Sequence, residues 1–453
     1  MRLERQRSDG RCDFWEAKVN RRKRTLELTS GIVNVRNTRT TKTFTSSKDL
    51  SAALDKLTKA KLAAGFKEPT VIGSHFLPKP LPTNPVLEAA IREDRSVAGA
   101  YGVYADWLQG QDSPVGEWIA VAASLEKAPD PKKETRLQAL TDALSLPTKD
   151  FATWGTRSGF FEWLRLENSN DWMAKEFDPV AFAEKLFATP LCAALEELRI
   201  GILRWDYNSE DVPAVLRVAG KHDWAKSLLR LHLGDVSGDI DMAHHSIGDV
   251  GDAITTSFPN LRWLKLHSGS QEWRGEGETF GIGGLALPAL ETLVIETCAM
   301  TKGRLAGLLS AKLPKLTALE LWFGSIDRDA DATAEDLEKL LDGTAFPAIT
   351  KLGIVNQEFG GALIERLASS KLAPQLVSLD LSKSTLDSTT APLLAEIADR
   401  FPKLESLNVN DNFLVDDDIA ALTAAFKRTR VLEGSQDKLE NAEDNYRYAS
   451  VSE

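Results

Sequence analysis

One nine-residue string is restated along the chain, and it limits the folds open to it. FPNLRWLKL (258–266) returns as LPALETLVI (287–295), LPKLTALEL (313–321), FPAITKLGI (346–354), APQLVSLDL (373–381) and FPKLESLNV (401–409). Each copy has a proline, one residue, then an apolar-x-x-Leu-x-apolar core. LEELRI (195–200) and LLRLHL (228–233) repeat the core without the proline. Aligned on the middle leucine, the copies fall at Leu198, Leu231, Leu264, Leu293, Leu319, Leu352, Leu379 and Leu407, spaced by 33, 33, 29, 26, 33, 27 and 28 residues. Self-similarity at a period of about 20–50 residues marks stacked repeats, none of which can bury its apolar edge alone.

In Leu-x-Leu, alternate residues point to opposite faces of a short strand, so the leucines turn inward and the residue between them turns out. The proline precedes the strand, where no backbone donor is needed and a helix must stop. TKGRLAGLLSAKL (301–313), AEDLEKLLDGTAF (334–346) and TAPLLAEIADRF (390–401) carry apolar residues three and four apart, which predicts helices on the convex side. Asn412 and Cys298 take the Asn/Cys position after the strand, while Gly324, Ser384 and Gln357 depart from it. This is the leucine-rich-repeat signature, and the long period resembles the ribonuclease-inhibitor type. The expected fold class is an α/β solenoid of about eight repeats over 191–432.

Strand phase then selects the residues of the concave face. Its central column reads Arg199, His232, Lys265, Val294, Glu320, Gly353, Asp380 and Asn408. Arg230 and Trp263 flank it on one side, and His267, Glu296 and Trp322 on the other. Arg199, Arg230, Lys265 and His267 predict a basic first half; Glu296, Glu320 and Asp380 predict an acidic second half. Trp263, Lys265 and Trp322 are the expected anchors for a protein partner, because exposed Trp beside cations is the mixture enriched in binding hot spots.

The N-terminal 67 residues differ in charge. They carry 17 Lys+Arg against 7 Asp+Glu, a net of +10, so the rest of a chain of net charge −11 carries −21. Residues 2–20, 25–35 and 38–44 read as strands, and 46–66 as a helix capped by Ser46 or Ser47 and ended by Gly65. With FWE (14–16), TKTF (41–44) and KLAAGF (61–66), this order resembles the WGR domain, a small α+β module. The tripeptide naming that family falls on Ser30, Gly31 and Ile32, so only its glycine remains. The resemblance implies contact with DNA ends in the polymerases that carry the domain. Here Ser and Ile supply neither indole nor guanidinium, leaving Arg36, Arg39 and Lys42 as dispersed candidate phosphate contacts.

FLPKPLPTNP (76–85), with four prolines, predicts an extended linker over 68–84. Residues 85–190 read as a helical capping region. AAIREDR (89–95), YADWL (104–108) and GEWIAVAASL (116–125) resemble a short repeat-companion domain of myxobacterial and planctomycete proteins, which implies a bacterial source but no activity. Asp106 and Glu117 are expected to cap helices or pair with cations, and the aromatics of 151–177 to cover the first repeat. Asp239, Asp241, His244, His245, Asp249 and Asp252 read as a solvated turn, with no metal expected. The acidic tail 433–453 should cap the last repeat in part. No nucleophile, phosphate-loop or metal-ligand motif occurs, and no cofactor is implied. Cys12, Cys192 and Cys298 are widely spaced, no apolar run approaches a membrane span, and no secretory signal is seen, so a cytoplasmic protein is expected. The sequence therefore predicts a non-enzymatic protein-binding adaptor. The alternative is a nucleic-acid-binding regulator acting through the basic N-terminal module.

Overall fold

The computed structural model describes residues 2–6, 12–20, 23–32, 37–66, 76–168, 177–204, 210–236, 246–269, 280–437 and 449. The chain divides into two compact units, Met1–His75 with Asn170–Asp178, and Phe76–Ser169 with Pro179–Glu453.

In the smaller unit, β1 (Arg2–Gln6), β2 (Cys12–Asn20), β3 (Thr25–Ile32) and β4 (Asn37–Thr43) form an antiparallel sheet in sequence order, followed by α1 (Ser47–Ala63). Strand alternation puts Trp15, Ala17 and Leu26 on one buried face, where Leu50 and Phe66 close over them. The Ser46 hydroxyl accepts the Asp49 N–H at 3.1 Å to start the helix, and Gly65 ends it at φ +82°. Arg36 lies outside the described residues. Arg39 is paired with Glu27 at 2.7 Å, and Lys42 is exposed on β4.

The larger unit opens with four helices: α2 (Pro85–Glu93), α3 (Ala98–Gln109), α4 (Pro114–Lys127) and α5 (Pro131–Leu144). Asn84, Ser113 and Asp130 each cap a helix whose first residue is proline, where the missing N–H costs nothing. Residues 76–84 depart from the expected linker. Phe76 and Leu77 are buried, Phe76 meets the Phe151 and Phe182 rings edge-on, and Leu77 N–H bonds to the Ser145 carbonyl. Glu117 forms a two-pronged pair with Arg136, at 2.7 and 2.6 Å.

After the helices the chain alternates between strands and short helices. The elements are β5 (Ala152–Arg157), β6 (Phe160–Leu166), α6 (Pro179–Phe187), β7 (Glu197–Ile200), α7 (Asp211–Ala219), β8 (Arg230–Leu233), β9 (Gly248–Asp249), α8 (Gly251–Ser257), β10 (Trp263–His267), β11 (Phe280–Gly281), β12 (Thr292–Glu296), α9 (Lys302–Leu309), β13 (Ala318–Trp322), α10 (Glu338–Leu341), β14 (Lys351–Val355), α11 (Gly360–Ser369), β15 (Ser378–Asp380), α12 (Ala391–Glu396), β16 (Ser406–Asn408), α13 (Asp416–Ala425) and β17 (Arg430–Leu432). All the strands except the β9–β11 pair join one eleven-stranded sheet in sequence order. It is parallel throughout, apart from the antiparallel β5–β6 hairpin at its edge.

The eight middle leucines stand in register from Leu198 to Leu407, each at most 2% exposed. The row extends by one rung at each end, to Leu164 on β6 and Val431 on β17. The hairpin lies in a stretch expected to be helical: Phe160, Phe161 and Leu164 face the core, and the rings of Trp118, Trp154, Tyr101 and Tyr104 pack around them. The repeating prolines also find their physical reason. In all six copies the residue before proline accepts a hydrogen bond from the residue two after it, as in Leu261 to Phe258 and Leu290 to Leu287. Proline is the second residue of that turn, where its fixed φ fits and no donor is used.

Candidate functional site

One face of the large sheet is apolar and buried; the other carries every candidate binding residue of the repeats. Trp263 pairs with Thr292, Lys265 with Val294, His267 with Glu296, Glu320 with Gly353, and Gly353 with Asp380. Arg199, His232 and Lys265 are likewise adjacent rungs. The structure thus brings Arg199, Arg230, His232, Trp263, Lys265, His267, Glu296, Glu320, Trp322 and Asp380 onto a single surface.

The side chains on this surface interlock. Trp163 of β6 lies against Gly155, where any Cβ would overlap its indole, and the Arg199 guanidinium sits 5.1 Å from its ring centre. Two rungs on, Arg230 stacks 4.3 Å from the Trp263 ring, whose other neighbour is the edge of His232. Trp322 leans on Cys298 and Ala299, donates its Nε1–H to Glu320 at 2.7 Å, and has the Lys383 ammonium 5.9 Å above its ring. Both predicted tryptophan anchors are half-buried, each held by a cation.

The expected basic half is corrected by the structure. Glu197, in register with Arg230, pairs with Arg199 at 2.7 Å and with Arg230 at 3.5 Å. Arg165 is held between Glu167 and Asp235. Burial pushes the His232 imidazole down to about 4, so it is neutral near pH 7 even with Asp235 3.8 Å away. Lys265 and His267 both bind Glu296, at 2.7 and 2.9 Å; burial would raise that carboxyl, but these two partners hold it below its ordinary range. The first half is therefore a charge-balanced lattice. Glu197 belongs to the flanking column of Arg230 and Trp263, and the alternation in LEELRI marks it as outward.

The acidic half differs. Glu320 and Asp380 flank Gly353, and no Lys or Arg forms an ion pair with either among the described residues. Asp380 accepts from Ser382 N–H at 2.9 Å, Ser382 Oγ at 2.6 Å and Asn408 Nδ2 at 2.8 Å. Among the described residues Glu320 accepts only from Trp322, and burial holds its carboxyl above the ordinary carboxylate range.

Asp239, Asp241, His244 and His245 lie outside the described residues; among those described, no group of three or more His, Cys, Asp or Glu could hold a metal ion. No helix among them is long and apolar enough to cross a membrane.

Comparison with known proteins bears on the fold. No protein-family model and no curated protein matches the chain. A crystal structure of a protein from Bacteroides fragilis superposes over 100% of both chains with a TM-score of 0.51 and 16% identity, which shows a shared fold. An internalin from Listeria monocytogenes aligns over 61% of this chain and 74% of its own (TM-score 0.28, 13% identity). TLR13, in its complex with ssRNA13, aligns over 58% and 34% (TM-score 0.29, 15% identity).

Proposed function

We propose that this chain is a leucine-rich-repeat interaction scaffold of the ribonuclease-inhibitor type, whose outward sheet face binds a protein partner. The observation that carries the reading is three Trp–cation contacts on an otherwise polar face, Trp163–Arg199 and Trp263–Arg230 with their tryptophans in one flanking column and Trp322–Lys383 on the other flank. Trp buries a large area with few rotors to freeze, and Trp and Arg are both enriched in binding hot spots. Eleven strands at about 4.8 Å per step give a face roughly 48 Å long, ample for an interface of standard size. Trp263, Lys265 and Trp322 are the anchors. The small unit is WGR-like, and the helices and hairpin before β7 act as the array's cap. Fully buried Cys192 and Cys298 accord with a reducing cytoplasm, and the resemblances accord with a bacterial source.

The test is capture of partners by the full chain beside the Trp263→Ala/Trp322→Ala double variant. Loss of a specific partner with retained fold is the expected result; unchanged capture overturns the reading. A second reading is favoured by the +10 charge of the first 67 residues and the exposed Lys42 on β4. In it the small unit binds nucleic-acid phosphates. Affinity for duplex DNA that falls steeply with salt, and falls again in Arg39→Ala/Lys42→Ala, would support it.

A further inference from the structure

β4 is an open edge of the small unit's sheet: β3 pairs with one side of it, and among the described residues no strand pairs with the other. Residues 38–43 are all exposed, and the strand holds no proline that would close it to further pairing. The register tells which backbone groups are open. The Phe44 N–H donates to the Arg24 carbonyl at 2.9 Å, one step beyond the Thr43–Thr25 pair. Hydrogen-bonded pairs alternate along an antiparallel ladder, so Lys42, Thr40 and Thr38 turn their N–H and C=O groups toward β3. Arg39, Thr41 and Thr43 therefore aim theirs outward, a row of alternating donors and acceptors.

The charge beside this row is positive. Lys42 is exposed and forms no ion pair among the described residues, and the Arg39 side chain stays 64% exposed while it touches Glu27. Two acids of the unit are already engaged. Glu27 is held by Arg39 at 2.7 Å, and Asp49 accepts from the Ser46 and Thr45 hydroxyls at 2.7 and 3.1 Å. Arg39 is in register with Thr29 and Lys42 with Leu26, so the two cations stand on opposite faces of the strand. A second copy of β4 would bring its own Arg39 and Lys42 against the first, and like charges on facing strands repel. The edge is thus guarded against self-pairing and open to a strand of opposite charge.

We infer that β4 is a docking edge that takes an acidic peptide segment of a protein partner as a further strand of the small sheet. The outward backbone groups of Arg39, Thr41 and Thr43 supply the ladder, and Arg39 and Lys42 select carboxylates on the two faces of the segment. A nucleic-acid backbone answers the same cations less completely. Its phosphates could accept from the outward N–H groups but offer no donor to the outward carbonyls. The site uses no residue of the large sheet, so it stands or falls apart from the scaffold reading.

The test is a fluorescence-anisotropy titration of the full chain with a short labelled probe peptide of alternating Glu and Val. Beside it runs the depsipeptide of the same side chains, whose ester backbone keeps the carboxylates and has no N–H donors. The amide probe is expected to bind, and the ester probe to bind about tenfold or more weakly, since several hydrogen bonds are lost at once. Lys42→Glu should weaken the amide probe roughly fivefold by turning an attraction into a repulsion. Thr41→Pro removes an outward donor without touching the ladder to β3, and should weaken it by about fivefold or more. The Trp263→Ala/Trp322→Ala variant should bind the probe as the wild type does.

Equal binding of ester and amide probes would reduce the contact to charge attraction and overturn the inference, as would a wild-type chain that ignores the amide probe. Binding unchanged in both Lys42→Glu and Thr41→Pro, or lost in the Trp263→Ala/Trp322→Ala variant, would put the probe elsewhere on the molecule. Duplex DNA that binds the wild type and weakens in Lys42→Glu, with the amide probe inert, would assign the cations to phosphates instead.

Discussion

Glu320 shows how one residue can work against the fold that holds it. Burial disfavours its charged form, and the like charges of Asp380 and Glu296 add to that, while the Trp322 N–H offsets only part. Its folded pKa therefore lies above its unfolded value, so the folded protein binds this proton more tightly. Stability from this group is present below the unfolded carboxylate pKa and falls as pH rises through the folded one. Glu320→Gln keeps an acceptor for the indole and removes the charge. It should raise the urea midpoint at neutral pH and flatten the decline in stability above the ordinary carboxylate range, both read from denaturation curves across pH. A lower midpoint at neutral pH would show that Glu320 is stabilised by its surroundings. The Asn/Cys position was legible to a similar degree. Asn412 donates to the Leu381, Val409 and Asn410 carbonyls and accepts the Leu386 N–H, as its position in the repeat predicts. Gln357 and Ser384 break the spelling yet do related work. The Ser384 hydroxyl accepts the Gln357 N–H and donates to the Ser382 carbonyl, and the Gln357 side chain accepts from Phe359 N–H. A consensus letter misses such substitutes because the backbone requires a partner of suitable reach, whatever its name.

At the scale of elements, the ladder was readable because its period is enforced by packing, and its ends were not because they spell the rule differently. WLRLEN (163–168) has the same outward-inward alternation as LEELRI, 34 residues before it when Leu164 is matched to Leu198, yet its aromatic neighbours read as a cap. It is both, a capping hairpin and a rung. Its join to the helices runs through Arg95 in the REDR string. That guanidinium donates to the Leu195 carbonyl at 3.2 Å and the Ser227 carbonyl at 2.8 Å, and lies 3.6 Å from Glu196. Arg157 binds the same Glu196 and Glu162, so hairpin, helices and the first two repeats share one part-buried charge network. Nearby, Tyr104 donates to Glu88 at 2.6 Å and accepts the Asn84 N–H, which explains why YADWL and the α2 cap belong together. Arg95→Met retains much of the stem and removes the donors. It should cost about 1–3 kcal/mol, because two carbonyls lose a part-buried donor while Glu196 keeps Arg157. Hydrogen exchange should then rise in α2–α3 and β7–β8 well before it rises in β14–β16. Equal change throughout would deny Arg95 its role as a local tie.

Across the whole molecule, the register of the large sheet makes a claim about cooperativity. Each rung touches only its neighbours: Leu319 lies between Leu293 and Leu352, and Leu407 between Leu379 and Val431. Both leucines are buried, at 2% and 0% exposure, so replacing either by alanine should cost about 2–5 kcal/mol. What differs is where that loss is felt. Stability in a stacked array is a sum of unit and nearest-neighbour terms, so a defect near one end can open that end alone, while a central defect weakens the joint between two long blocks. The end also has less to hold it: β17 has a strand on one side only, and its covering is a short segment in which Gln436 bonds to Val409 and Leu414 and Asp437 to Asn412. Leu407→Ala should therefore speed hydrogen exchange in β15–β17 and leave β7–β10 at the wild-type rate. Leu319→Ala should speed exchange on both flanks, across β12–β14, and broaden the denaturation curve by parting the two blocks. If Leu407→Ala instead accelerated every strand equally, the sheet would be unfolding as one cooperative body, and the outward face would have to be treated as a single rigid template for its partner.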